Sequence, residues 1–341
     1  MRLEVTSPMR NGWESANLMT RIDWACALQA SSRTAVELIV MTVGYDITVA
    51  MLRRTLLQMP FVACLANAER AGLKLSVRVE PLFPGMPLGT QIEKVAEAGY
   101  DGFEFGDWRT ADARAINPLK NKLGLECVCI VGNKSVNPKG MGLCDPAERE
   151  GFLAEMRESV EAAKRFECSR LVVLSGFKAP NLSRAQQHSS IVEGLKKAHE
   201  ICAANGVTII LEVINTLAAV EPLNPTGNNH ADYYLDRTGE AFQIVGEVGG
   251  PFLKILFDIY HVQIMEGNLI ETIRKHIGGI GHFHVGDVPG RHEPGTGEIH
   301  YANVFRAIRE TGYRQYAAME YVPLKDAMTT LVETRRLALG K

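Results

Sequence analysis

Four short apolar runs in the second half of the chain each end on a side chain that can hold a cation or move a proton. Ile209-Ile210-Leu211 ends on Glu212, Ile255-Leu256-Phe257 on Asp258, His282-Phe283 on His284, and Ala317-Ala318-Met319 on Glu320. The four lie 46, 26 and 36 residues apart. Three carboxylates and one imidazole make an oxygen-rich, hard-leaning donor set suited to one Mg²⁺, Mn²⁺ or Co²⁺ ion. Bringing three carboxylates together without a cation costs on the order of several kcal/mol in repulsion and lost hydration. A divalent metal removes that cost. The competing reading gives each acid a separate structural task, such as capping the helix that follows.

Such a set needs a frame that brings four distant points together. From Leu73 onward, short apolar runs alternate with longer amphipathic segments, the pattern of repeated βα units. The candidate strands are Lys74–Leu82, Gly102–Phe105, Glu126–Val131, Arg170–Leu174, Val207–Leu211, Leu253–Phe257, Gly279–Val285 and Gln315–Met319. Helical spacing separates them, as in Phe152, Met156, Val160 and Ala163. Thr90 followed by Glu93 reads as a capping box, while Ala98-Gly99 and Ala204-Asn205-Gly206 read as helix ends. The strands are near-continuous apolar runs, as expected when both faces are covered. No glycine-rich phosphate loop follows the first strand, so the doubly wound dinucleotide fold lacks its fingerprint. The pattern therefore predicts an α/β (β/α)₈ barrel, whose chemistry sits at the C-terminal ends of its strands. His282 shares the parity of His284 along its strand and is expected one layer deeper, as barrel filling.

Composition sets outer limits. The 341 residues are 46% hydrophobic and 22% charged, with a net charge of −2 and no basic stripe, which argues against a nucleic-acid partner. No apolar stretch approaches the ~20 residues needed to span a bilayer. The seven cysteines contain no C-x-x-C pair and read as small buried hydrophobes. Residues 1–50 lack a sustained period and read as an unstructured extension, with Met51 as an alternative start. Residues 51–68 carry Arg53-Arg54, a short apolar core and Ala66-Asn67-Ala68, the order of a twin-arginine export signal. Cys64 is a weaker candidate for a lipid anchor. The barrel would then occupy residues 69–341 of an exported, periplasmic protein, the alternative being a cytoplasmic one.

Several segments resemble hydroxypyruvate isomerase-like proteins of the xylose isomerase-like barrel superfamily. They are Leu211-Glu212-Val213-Ile214-Asn215, Phe257-Asp258-Ile259-Tyr260-His261, Gln263-Ile264-Met265-Glu266-Gly267, and Asp287-Val288-Pro289-Gly290-Arg291-His292-Glu293-Pro294-Gly295-Thr296-Gly297-Glu298-Ile299. The resemblance runs from about Leu73 to the C-terminus. It implies an isomerase that holds Mn²⁺ or Mg²⁺ (Co²⁺ as a third candidate) on Glu212, Asp258, His284 and Glu320. The two glutamates would serve as the acid/base pair, and His261 and Arg291 would hold oxygens of a small sugar or keto-acid substrate. A loop salt bridge to Glu293 or Glu298 is the alternative for Arg291, and holding Asp258 the alternative for His261. Two departures bear on the substrate. Many hydroxypyruvate isomerases carry Gln where this chain has His284, whereas ketose 3-epimerases carry His, and Leu217–Ala231 is longer than the family's usual loop. A ketose 3-epimerase and a non-catalytic sugar-binding barrel therefore stand as alternatives. An apurinic-site endonuclease would need a larger metal set and a basic groove. A homo-oligomer is compatible with all of these readings.

Overall fold

Eight parallel strands pair in sequence order and close on themselves, β8 returning to β1. The computed structural model describes residues 72–133, 142–217 and 230–341. The strands are β1 (Lys74–Arg78), β2 (Gly102–Phe105), β3 (Glu126–Val131), β4 (Arg170–Leu174), β5 (Thr208–Glu212), β6 (Leu253–Asp258), β7 (Ile280–Val285) and β8 (Tyr316–Met319). Ten α-helices among the described residues accompany them: α1 (Val79–Leu82), α2 (Leu88–Glu97), α3 (Ala113–Leu123), α4 (Arg149–Arg165), α5 (Arg184–Ala203), α6 (Thr238–Val248), α7 (Ile259–Met265), α8 (Leu269–His276), α9 (Tyr301–Glu310) and α10 (Ala327–Leu339). The predicted (β/α)₈ barrel is the observed fold. The 1–50 extension, the 51–68 signal and Cys26 and Cys64 lie outside the described residues, as does most of the long loop after β5.

Helix α4 shows why the periodicity was legible. Phe152, Met156, Val160 and Ala163 fall on one face and are all buried against the strands, while the charges of the same helix face outward. Two local expectations are corrected. The first strand stops at Arg78 rather than Leu82, because the chain turns at once into the single helical turn α1. Apolar residues continue through that turn, and an apolar run does not reveal its own backbone angles. The Thr90–Glu93 capping box is not formed. Helix α2 starts at Leu88 behind Pro87, which makes no side-chain cap, so Thr90 lies inside the first turn. Proline fixes its own φ and supplies a helix boundary without a hydroxyl acceptor. The glycines expected after α2 and α5, Gly99 and Gly206, do adopt left-handed φ values of 78° and 67°.

Register brings the strand ends level. Leu174 pairs with Glu212 across β4 and β5, Asp258 with His284 across β6 and β7, and Val285 with Met319 across β7 and β8. Glu320 therefore leaves β8 at the rim reached by Glu212, Asp258 and His284. The barrel interior just below that rim departs from the branched aliphatic filling usual in this architecture. Ser76, Glu104 and His282 are fully buried there, together with Cys129.

Candidate metal centre

Asp258 is placed by two features of its own sequence. It ends β6 and serves as the N-cap of α7, accepting from the backbone N–H groups of Tyr260 and His261 at 2.9 and 3.4 Å through Oδ1. Its other oxygen, Oδ2, faces Arg291 and His284. The capping role raised as an alternative for the acids therefore holds for Asp258, and it orients the side chain rather than competing with the convergence. His284 Nδ1 stands 2.7 Å from Glu320 Oε2, 3.7 Å from Glu212 Oε1 and 4.0 Å from Asp258 Oδ2. One donor atom from each of the four residues lies within 4.8 Å of the others. Glu212, Asp258 and His284 are buried, and the Glu320 side chain is 12% exposed.

In this cluster, burial and carboxylate repulsion act against the positive charges of Arg291 and His284. Burial raises Glu212, and the neighbouring carboxylates of Glu320 and Asp258 raise it further, against the opposing pull of His284. Burial and Glu320 likewise raise Asp258, with Arg291 and His284 acting the other way. Glu320 is held far below the usual carboxylate range, because His284 and Arg291 overcome the effect of its burial. His284 is raised well above an ordinary imidazole. Burial opposes this, but Glu320, Cys129, Glu104 and Glu212 outweigh it. Despite its short distance to Glu320, the buried His284 Nδ1 makes no well-directed hydrogen bond. A buried nitrogen aimed among three carboxylate oxygens without hydrogen-bond geometry fits a divalent cation that would lie between them.

Arg291 and His261 complete the mouth, and the loop alternative for Arg291 is corrected. Its guanidinium does not reach for Glu293 or Glu298. Nη2 donates to Asp258 Oδ2 at 2.7 Å and to Glu320 Oε2 at 2.5 Å, and the side chain is buried. The backbone aims it there. Arg291 has φ of 55°, a left-handed conformation that costs a non-glycine residue about 1–3 kcal/mol. Val322 N–H donates to Arg291 O at 2.8 Å, and the Tyr260 ring lies beneath the guanidinium at 4.9 Å. His261 Nδ1 accepts from the Asn215 backbone N–H at 3.2 Å, while its Nε2 stands 3.4 Å from Asp258 Oδ2 and 3.1 Å from Arg291 Nη1. His261 thus holds Asp258, as its alternative reading had it, at the place where substrate contacts were also expected.

The loop carrying Arg291 is organised by Asp287, which is fully buried. Its Oδ1 accepts from Val288 and Ile299 N–H at 2.9 and 3.1 Å, and its Oδ2 from Gly295 and Gly297 N–H at 2.9 and 3.0 Å. Sequence reasoning missed this role, and it missed Glu104. Glu104 lies between two phenylalanines in β2, directed into the barrel toward His282 and His284. The available signal was a lone charge at inward parity within a short apolar strand. A cleft lined by Arg170, Lys254 and Gln315 opens at the opposite ends of the strands and includes none of these groups.

Comparison with known proteins gives the family and the fold. The xylose isomerase-like TIM barrel family matches residues 92–336. Hydroxypyruvate isomerase of Escherichia coli (strain K12) is 29% identical over 257 residues, covering 74% of this chain and 94% of that protein. The 2-oxo-tetronate isomerase of Cupriavidus necator is 29% identical over 238 residues, covering 68% of this chain and 87% of that protein. A solved structure described as an AP endonuclease, family 2, from Brucella melitensis superposes with a TM-score of 0.67 at 26% identity, covering 77% of this chain and 98% of that one.

Proposed function

The chain belongs to the xylose isomerase-like TIM barrel family, and from that premise we propose that it is a divalent-metal-dependent isomerase of a small α-hydroxy carbonyl compound, hydroxypyruvate isomerase-like in its reaction. The single observation carrying this reading is the convergence of Glu212, Asp258, His284 and Glu320 within 4.8 Å. These four would hold the cation, with Mn²⁺ and Mg²⁺ the best matches to an oxygen-rich set. When bound, it supplies Lewis-acid stabilisation of the negative charge that develops on the substrate oxygens.

The chain's own residues do the proton work. A carboxylate takes the proton from the carbon bearing the hydroxyl, leaving an enediolate, and a carboxyl group returns it. Delivery to the neighbouring carbon gives isomerisation, and delivery to the opposite face of the same carbon gives epimerisation. Glu212 and Glu320 are the candidate acid/base pair: one takes the proton, and the same or the other glutamate returns it. Arg291 and His261 keep Asp258 and Glu320 oriented and line the place where substrate oxygens would arrive.

The relatives' names support hydroxypyruvate or a 2-oxo-tetronate as substrate. His284 is the observation favouring a second reading, ketose 3-epimerisation, because the resemblance placed Gln at that position in many hydroxypyruvate isomerases. An endonuclease reading would call for a positively charged groove, and a net charge of −2 does not favour one. The test is to strip metal by chelation, restore Mn²⁺, Mg²⁺ or Co²⁺, and offer hydroxypyruvate, 2-oxo-tetronates and ketoses in deuterated water. Metal-dependent turnover of one class with deuterium entering at carbon is the expected result. No deuterium uptake with any member of the panel would leave a binding protein rather than an isomerase.

A further inference from the structure

Beneath the candidate cation site, one carboxylate gathers two hydrogen-bond donors and two imidazoles. Ser76 Oγ donates to Glu104 Oε1 at 2.6 Å and Cys129 Sγ to Glu104 Oε2 at 3.0 Å. His282 Nε2 stands 2.8 Å from Oε1 and His284 Nε2 stands 3.2 Å from Oε2. All five residues are buried, with Glu104, Ser76 and His282 wholly inaccessible. A barrel interior gains nothing in stability from an ionised group that an aliphatic side chain could replace, since desolvation of the charge offsets its attractions. Its presence calls for a task.

The two ring nitrogens of His284 supply one. Nε2 faces Glu104, and Nδ1 faces Glu212, Asp258 and Glu320. A neutral imidazole has one N–H and one lone pair, so it can ligate through Nδ1 only if the proton sits on Nε2. We propose that Glu104 is a positioning residue that fixes His284 with its ring proton on Nε2, so that the Nδ1 lone pair is presented to the cation. Ser76 and Cys129 hold Glu104 in place for that purpose by donating to its two oxygens. In a dry interior such a hydrogen bond also raises the donor strength of the ligating nitrogen. Glu104, Cys129, His282 and His284 themselves lie close enough to form a second cation set. Filling both sets at once would require His284 to give up both ring protons, and Glu104 to exchange the hydrogen bonds from Ser76 and Cys129 for a metal bond. The tautomer role needs neither.

This inference rests on the reading of the four rim residues as a cation site, and its test separates the two. Wild type and Glu104→Gln are titrated with Mn²⁺ alone by calorimetry. The Zn²⁺-loaded proteins, ¹⁵N-labelled at histidine, are then compared by NMR. Wild type is expected to bind one Mn²⁺ and to show a hydrogen-bonded His284 Nε2–H protected from exchange. Glu104→Gln is expected to bind about 10–100-fold more weakly, with that proton exposed to exchange. Should Glu104→Gln fail to fold, Glu104→Asp keeps the charge at shorter reach and is expected to lose affinity more mildly, with the same NMR change. Unaltered Mn²⁺ affinity and an unaltered His284 signal in the variant that folds would overturn the role of Glu104 alone. Two cations per wild-type chain, one lost in the variant, would make Glu104 a ligand instead. A wild-type chain that binds no cation would remove the functional reading as well.

Discussion

Replacing Asp287 by alanine tests how the loop that carries Arg291 is held. The substitution removes the acceptor of four backbone N–H groups, those of Val288, Gly295, Gly297 and Ile299. Hydrogen bonds to a charged acceptor contribute about 1.5–3 kcal/mol each, and a buried N–H left without a partner costs about 1–3 kcal/mol. The four are not equivalent. Gly295 and Gly297 are exposed residues, and water can replace the carboxylate there, while Ile299 is buried and Val288 half-buried. Counting mainly those last two, the expected loss is about 3–5 kcal/mol. Asp287→Asn keeps an oxygen for the inner pair and turns its NH₂ toward the glycines, so it should lose roughly 1–2 kcal/mol. Urea unfolding of both variants reads these values directly. Activity should fall in step, because Arg291 reaches Asp258 and Glu320 only from this loop. A loss below about 0.5 kcal/mol for Asp287→Ala, the range of ordinary surface substitutions, would refute the reasoning.

Other consequences are open to direct measurement. Gly297→Ala should cost as much as Asp287→Ala, since a Cβ there would meet Val288 O at 2.0 Å and Asp287 Oδ1 at 2.7 Å; a stable, active Gly297→Ala protein would contradict this packing. Glu212→Gln and Glu320→Gln should each abolish turnover in steady-state assays, and a variant that retains activity removes its residue from the proton path. Mn²⁺ affinity should rise with pH. Glu212 and Asp258 are raised by burial and by carboxylate neighbours, and His284 by the carboxylates around it. Protons therefore compete for the site at higher pH than they would for exposed carboxylates, and the sign is loss of affinity as pH falls. An affinity unchanged between about pH 5 and pH 8 would contradict those directions. Burial pushes the thiols of Cys144 and Cys202 up to about 12. Iodoacetamide near neutral pH should leave both unlabelled in the native protein and label them in urea, as peptide mapping by mass spectrometry would show.

The barrel and its rim were legible in the sequence for one reason. Parallel strands covered on both faces are written as continuous apolar runs, and a polar residue that ends such a run is conspicuous. Glu212, Asp258, His284 and Glu320 stand out on that basis alone, before any resemblance is invoked. What stayed hidden depends on contacts across the barrel, which spacing along the chain does not encode. Glu104 reads in isolation as an oddity within Gly102–Phe105, and only closure of the barrel sets β2 against the histidines of β7. Arg291 was expected to hold substrate oxygens, with a salt bridge to the nearby Glu293 or Glu298 as the alternative. The left-handed turn at its own Cα sends it to Asp258 and Glu320 instead. His282 is barrel filling by position, yet its partner is a carboxylate, so depth in the core did not imply an apolar role. Cys129 likewise is buried as expected of its type, but it spends its proton on Glu104.

The central claim is that four strand ends grip one dication. Anomalous diffraction from crystals grown with Mn²⁺ tests it most directly. The expected result is one manganese peak per chain, about 2.0–2.3 Å from donor atoms of Glu212, Asp258, His284 and Glu320. No peak at that position, or a peak held by other side chains, would contradict the account.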